Sequence, residues 1–254
     1  MYQWTKDSIR FRIDAAETTK FDDTIIAQIV PDIPQNAHVC DAGCGLGYTS
    51  LALARHCARV TAVDTSGVAL NVLRENIAAG KIKNIEVIDG DLFSMRPRRM
   101  YDAMLFCFFG RLEETLYAAK TQCAGTVFMV KKNWPNHRFT PGEVPLKRFT
   151  YQQTMLELDA LGIPYRAKTF PIEMGQPFRS VEDAVQFFSI YRQQNDVQPV
   201  DPASVKRILC TGDSVEFPYF LPSRKALGLV TVETKDIPEE PHFRMDNEVQ
   251  LASR

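Results

Sequence analysis

Residues 38–47 read H-V-C-D-A-G-C-G-L-G, and this stretch decides the fold. A short apolar run, residues 37–40, meets Asp41 and then three glycines, Gly43, Gly45 and Gly47. Directly after them, residues 48–57 (Y-T-S-L-A-L-A-R-H-C) carry apolar side chains at helical spacing. A strand, a tight turn and a helix make the first βα unit of a doubly wound α/β sheet. Glycine lets the backbone turn sharply and approach a ligand with no Cβ in the way. The first turn of the helix adds N–H groups that have no partner within it.

Working outward, residues 59–64 (R-V-T-A-V-D) read as a second strand ending in Asp64. A carboxylate at that carboxyl end can accept both hydroxyls of a ribose, the geometry of Rossmann-type sites. An acid there can instead cap the next helix, a role that Ser66 is placed to take. Residues 68–79 form an amphipathic helix ended by Gly80, and residues 85–88 a third strand followed by D-G-D-L at 89–92. The fourth strand is residues 101–109, Y-D-A-M-L-F-C-F-F, then Gly110. Residues 111–123 read as a helix and 125–131 as a fifth strand. A helix over 150–161, a sixth strand over 164–172 and a seventh over 226–234 complete the pattern.

The glycine spacing separates two kinds of ligand. A dinucleotide fingerprint reads G-x-G-x-x-G, with its acid about 20 residues later. Here the order is D-x-G-x-G-x-G, with Asp41 two residues ahead of the first glycine. This pattern resembles the S-adenosylmethionine loop of class I methyltransferases. The resemblance implies that Gly43, Cys44, Gly45 and Gly47 pass under the methionine part, with Asp41 near its ammonium group. It implies Asp64, with Thr65, on the ribose. Asp91, with Asp89 as runner-up, would accept from the adenine amino group while the Leu92 N–H donates to the ring. Cys107, at the end of the fourth strand, would face the methyl. The implied fold is α/β: a doubly wound, mostly parallel seven-stranded sheet of the Rossmann-like methyltransferase type. Its last strand is antiparallel, with a helical insertion before it. The implied cofactor is S-adenosyl-L-methionine, and the product S-adenosyl-L-homocysteine.

One departure narrows the acceptor. Adenine and glutamine N-methyltransferases of this fold carry N/D-P-P-Y/F after the fourth strand, whereas this chain has Cys107, Phe108, Phe109 and Gly110. The absence of a polar group to hold an amide or amino nitrogen points to an apolar, partly aromatic site built on Phe108 and Phe109. Residues 131–148 hold five Lys/Arg against the lone acid Glu143, with Trp134 and His137. Loops after strands build ligand sites, which makes Trp134 a candidate substrate contact. In the insertion, Arg179, Tyr191 and Arg192 are the polar candidates for the pocket, with Arg179 taken as a substrate contact. No position announces itself as a general base, and His137 and Tyr191 are candidates from their expected location alone. A covalent route through Cys107 is open, although buried strand cysteines are usually inert.

Four segments follow: an N-terminal arm and helix (1–36), the cofactor-binding domain (37–173 plus 218–234), a helical lid or substrate insertion (174–217) and a tail (235–254). In the arm, Trp4, Arg10 and Arg12 stand ready to act as an aromatic wall and anion holders in a flap over the cofactor. The helix expected at 21–30 stops at Pro31.

Composition excludes several classes. The chain has 254 residues and a formal net charge of -1, which gives no broad attraction to nucleic acid or anionic membrane. No apolar run is long enough to span a bilayer, and the charged first twenty residues lack a secretory h-region. Six scattered cysteines without a C-x-x-C pair read as reduced thiols in a cytoplasmic protein. The four histidines lack metal-ligand spacing, so no metal is expected. The expected partner is a small-molecule methyl acceptor, the chain acting as monomer or homodimer. An RNA or protein methyltransferase is the alternative, and a non-catalytic S-adenosylmethionine-binding scaffold or sensor the third.

Overall fold

The computed structural model describes residues 3–134, 151–191 and 200–239. In chain order the first half holds α1 (Lys6–Thr19), α2 (Phe21–Ala27), β1 (His38–Ala42), α3 (Tyr48–Leu53), β2 (Arg59–Asp64) and α4 (Gly67–Ala79). It continues through β3 (Ile85–Asp89), β4 (Tyr101–Cys107), α5 (Leu112–Gln122) and β5 (Cys123–Lys132). The second half holds α6 (Tyr151–Leu161), β6 (Arg166–Glu173), β7 (Gln176–Phe178), α7 (Val181–Tyr191) and α8 (Pro202–Ile208). It closes with β8 (Cys210–Thr211), β9 (Tyr219–Leu221) and β10 (Arg224–Glu233).

Among the described residues, seven strands form one sheet in the order β3-β2-β1-β4-β5-β10-β6. The pairs from β3 through β5 are parallel, and β10 runs antiparallel to both β5 and β6. The strand order reverses between β1 and β4, which opens the crevice where ligands dock in such sheets. Val39, Cys40 and Ala42 of β1 and Ala103 to Phe106 of β4 are almost wholly buried, as strands covered on both faces must be. On one face Phe21, Ile25 and Ile26 of α2 join Ala52 and Leu53 of α3 in the core. On the other, Leu112, Leu116 and Ala119 of α5 meet Tyr151 and Leu158 of α6.

The sequence places the strands of the main sheet within two or three residues of where they lie, with β2 the same to the residue. Two features go beyond the expectation. Residues 6–19, expected only as an arm, are helical, starting from a reciprocal cap in which the Ser8 N–H donates to Thr5 Oγ1 at 3.2 Å and the Thr5 N–H to Ser8 Oγ at 2.9 Å. The segment between β6 and β10 is not purely helical: β7, β9 and β8 pair as a small antiparallel sheet beside α7 and α8.

These two features share one core. Phe11 of α1 is fully buried among Phe178, Ala184, Phe187, Phe188 and Val205. Its ring meets Phe187 edge-on at 5.1 Å and Phe178 at 6.2 Å. Polar ties reinforce the contact, with Arg10 donating to Asp183 at 2.7 Å and Gln176 Nε2 to the Phe11 carbonyl at 3.0 Å. The N-terminal helix and the insertion therefore form one unit, beside the strand ends where the cavity opens.

Candidate functional site

A cavity of about 860 Å³ opens at the carboxyl ends of the parallel strands. Its floor comes from Gly43 and Gly45 after β1, and from Val63, Asp64 and Thr65 at the end of β2. Gly90, Asp91, Leu92 and Phe93 enter after β3, and Cys107, Phe108 and Phe109 after β4. Trp4, Arg12 and Tyr191 close it from the N-terminal segment and α7. The volume lies within the roughly 300–1,000 Å³ usual for small-molecule sites.

The glycine loop is pinned from behind. The N–H groups of Gly43 and Cys44 both donate to the Val63 carbonyl, at 2.9 and 3.0 Å. The Gly45 N–H donates to Asp64 Oδ2 at 2.8 Å, and the Ser66 N–H to Asp64 Oδ1 at 2.8 Å. Asp64 thus ties two loops together while its remaining lone pairs are open to the cavity. Ser66 itself caps α4, its Oγ accepting from the Ala69 N–H. Asp91 is also a cap: it accepts from the Phe93 N–H at 3.1 Å and from Ser94 Oγ at 2.7 Å.

Aromatic rings build the opposite wall. Phe109 stacks nearly parallel to Phe93 at 5.8 Å and to Phe106 at 6.4 Å. Phe108 has φ +56, the left-handed region that a bulky side chain rarely adopts, and its side chain stays about 40% exposed at the cavity. Behind this turn Lys131 is buried, and its Nζ donates to the Gly110 carbonyl at 3.2 Å. Burial holds the Lys131 ammonium below its ordinary pKa.

Several expected site residues lie elsewhere. Asp41 is fully buried and is not in the cavity wall; its Oδ2 accepts from Thr49 Oγ1 at 2.7 Å and Ser50 Oγ at 2.6 Å, which anchors α3. Cys44 and Gly47 also lie outside the wall, because Cys44 is buried beside Ala62 and Leu70 and the Cα of Gly47 packs on Leu73. Trp134 packs against the core on the α2 and α3 side. Arg179 is a strut: it donates to Asp14 at 3.1 Å and Glu216 at 3.0 Å, and lies over the Phe217 ring. Arg10 is likewise paired to Asp183. His137 and Arg192 fall outside the described residues. Cys107 does line the cavity, but burial, and then the charges of Asp22 and Asp41, push its thiol well above the ordinary value. That keeps it protonated and unsuited to a covalent relay.

Val63, Gly90 and Phe93 are wall residues that sequence reasoning missed. Phe93 had one usable signal, its place directly after D-G-D-L.

Burial raises the Asp41 carboxyl to about 6, against the pull of its two hydroxyl donors. Its folded pKa therefore lies above the unfolded one. The associated stability is fully present below about pH 4 and is lost as pH rises through about 6, by roughly 2–3 kcal/mol. Asp41→Asn is expected to flatten that part of the stability curve in urea titrations at pH 4, 5, 6 and 7. An unchanged slope would remove Asp41 as its source.

Residues 39–125 match a family model described as "Methyltransferase domain". The cavity lies at the same strand ends that this match covers. That stretch is similar to methyltransferase domains. Over 77 residues it is 38% identical to a ribosomal protein L11 methyltransferase of Acetivibrio thermocellus, covering 30% of this chain and 24% of that protein. Over 86 residues it is 33% identical to a Methanococcus vannielii protein named "Probable cobalt-precorrin-6B C(15)-methyltransferase (decarboxylating)", covering 34% and 48%. The chain thus spans less than half the length of either relative. In fold, it superposes on the YcgJ protein of Bacillus subtilis with a TM-score of 0.52 at 12% identity, over 83% of this chain and 97% of that one. The matched stretch runs from β1 to the start of β5, while β6, β10 and the unit formed by α1 and the insertion lie outside it.

Proposed function

We propose that this chain is a methyltransferase that transfers the methyl of S-adenosylmethionine to a small, partly apolar acceptor held in the 860 Å³ cavity. The observation that carries the reading is the convergence of Gly43, Gly45, Asp64, Asp91 and Phe108 on that single cavity. These residues fit the cofactor. Glycines without a Cβ leave room for a chain to pass, and Asp64 has lone pairs for ribose hydroxyls. Two wall carboxylates against one guanidinium complement a ligand with two cationic groups and one carboxylate.

Bound there, S-adenosylmethionine supplies an electrophilic methyl group on a sulfonium. Asp64 and Thr65 would hold its ribose end, and Asp91 with the Leu92 N–H its adenine. Phe108, Trp4 and Tyr191 exclude water and press the acceptor into line, which is where catalytic advantage arises for an in-line displacement. Tyr191, which lines the same cavity, would take a proton from a hydroxyl acceptor. The α1–insertion unit serves as the cover that selects the acceptor.

The test uses methyl-labelled cofactor with the full chain and three acceptor pools: a metabolite extract, stripped tRNA and ribosomal protein. Label entering the metabolite fraction alone is the expected result. Label in tRNA or protein would replace this reading with the macromolecular one, and cofactor binding without any transfer would favour a sensor.

Phe108→Gly separates function from stability. Glycine relieves the left-handed strain, worth about 1 kcal/mol, while little buried surface is lost. The expected outcome is an unchanged or higher Tm with turnover reduced about threefold to tenfold, the scale of a lost aromatic contact. A lower Tm with intact turnover would reverse the assignment.

A further inference from the structure

Arg12, on α1, is the only cationic side chain among the described residues lining the cavity. Its guanidinium is held on several sides: Cζ lies 4.4 Å from the centre of the Phe21 ring and 5.2 Å from that of Tyr48. Nη2 donates to both oxygens of the buried Asp22, at 2.8 and 3.0 Å. Both bonds converge on one nitrogen, unlike the fork-to-fork pairing that uses two. Asp22 therefore fixes the plane of the guanidinium and leaves its other terminal nitrogen unengaged. That nitrogen, Nη1, is buried and has no hydrogen-bond partner among the described residues. A buried donor left unmade costs about 1–3 kcal/mol, more when charged, and such groups call for an explanation.

We infer that Arg12 Nη1 is the receptor for a carboxylate of a ligand bound in the cavity. The inference rests on the methyltransferase reading and adds to it a named anion contact. A planar, singly charged group suits a guanidinium lying near the Phe21 and Tyr48 rings beside Asp22. A phosphate would bring more negative charge against the Asp22 carboxylate. Two molecules can present such a group: the cofactor, through its amino-acid end, or the acceptor.

Calorimetry on the full chain distinguishes them. Arg12→Gln alone would strand the buried Asp22, so the variant is Arg12→Gln with Asp22→Asn, its fold checked by thermal unfolding. The probes are S-adenosylhomocysteine, its decarboxylated analogue and, on protein saturated with S-adenosylhomocysteine, benzoate against benzamide. If the cofactor supplies the group, the double variant binds S-adenosylhomocysteine at least tenfold more weakly and the decarboxylated analogue as the wild type does. If the acceptor supplies it, S-adenosylhomocysteine affinity is unchanged, while benzoate binds the wild type, not the variant, and is preferred to benzamide.

Equal affinities of variant and wild type for every probe overturn the inference, as does an equal loss for S-adenosylhomocysteine and its decarboxylated analogue. Should the variant not fold, a wild type that fails to prefer either acid over its uncharged counterpart overturns it too, and a clear preference sustains it. A wild type that binds no S-adenosylhomocysteine at all defeats the cofactor reading of the cavity instead. Benzoate against benzamide on the free protein then still decides the role of Arg12.

Discussion

Gly43→Ala is expected to abolish measurable S-adenosylhomocysteine binding and to lower Tm clearly. Gly43 has φ +67, and a Cβ built there would lie 2.4 Å from Cδ2 and Cγ of the Phe109 ring. The backbone conformation alone costs a non-glycine residue about 1–2 kcal/mol, and forced overpacking adds about 1–3 kcal/mol. The ring has little room to yield, since it stacks against Phe93 and Phe106 and its turn is tied down by Lys131. Strain of roughly 2–5 kcal/mol would fall on the loop that floors the cavity. Gly162→Ala provides the internal control. Gly162 has a similar φ of +64, but nothing lies within 4 Å of a Cβ there. It should show the backbone effect alone, a small drop in Tm with binding intact. If thermal melts and calorimetry gave both variants the same profile, the contact with Phe109 would have no role.

What was legible in the sequence was whatever a local pattern can carry. The run R-V-T-A-V-D announces both its strand and the acid at its end, because burial and strand termination act within six residues. The helix over 6–19 was hidden for a physical reason. Its buried face includes Ser8 and Asp14 beside Phe11, Ala15 and Ala16, so no clean apolar stripe forms. Strands β7, β8 and β9 have two or three residues each, too few for alternation to register. Arg179 was expected as a substrate contact because its partner Asp14, 165 positions away, is beyond the reach of a local pattern. Asp41 is claimed instead by partners close by in the chain. Its spacing to the glycines is the family pattern, yet the two hydroxyls that claim it come from Thr49 and Ser50 on the next helix. Pattern locates a residue on the chain, and the pairing of charges across the chain decides which way it faces.

Asp64→Ala is expected to weaken S-adenosylhomocysteine binding by about 1–3 kcal/mol, the scale of lost hydrogen bonds to a charged group. The geometry complicates a simple reading of that loss. Asp64 accepts from the Gly45 N–H on one oxygen and the Ser66 N–H on the other, so alanine also loosens the glycine loop. Asparagine does not repair this, because its amide nitrogen would face one of the two N–H donors. The ribose contribution is isolated by changing the ligand as well as the protein. Wild type and variant are titrated with S-adenosylhomocysteine and with its 2′,3′-dideoxy analogue, and the four affinities form a cycle. If Asp64 holds the ribose, removing the hydroxyls weakens binding to the wild type by about tenfold and scarcely affects the variant. If Asp64 acts only by tying the loop, both proteins lose the same factor on deoxygenation, and the residue is a positioning group for Gly45.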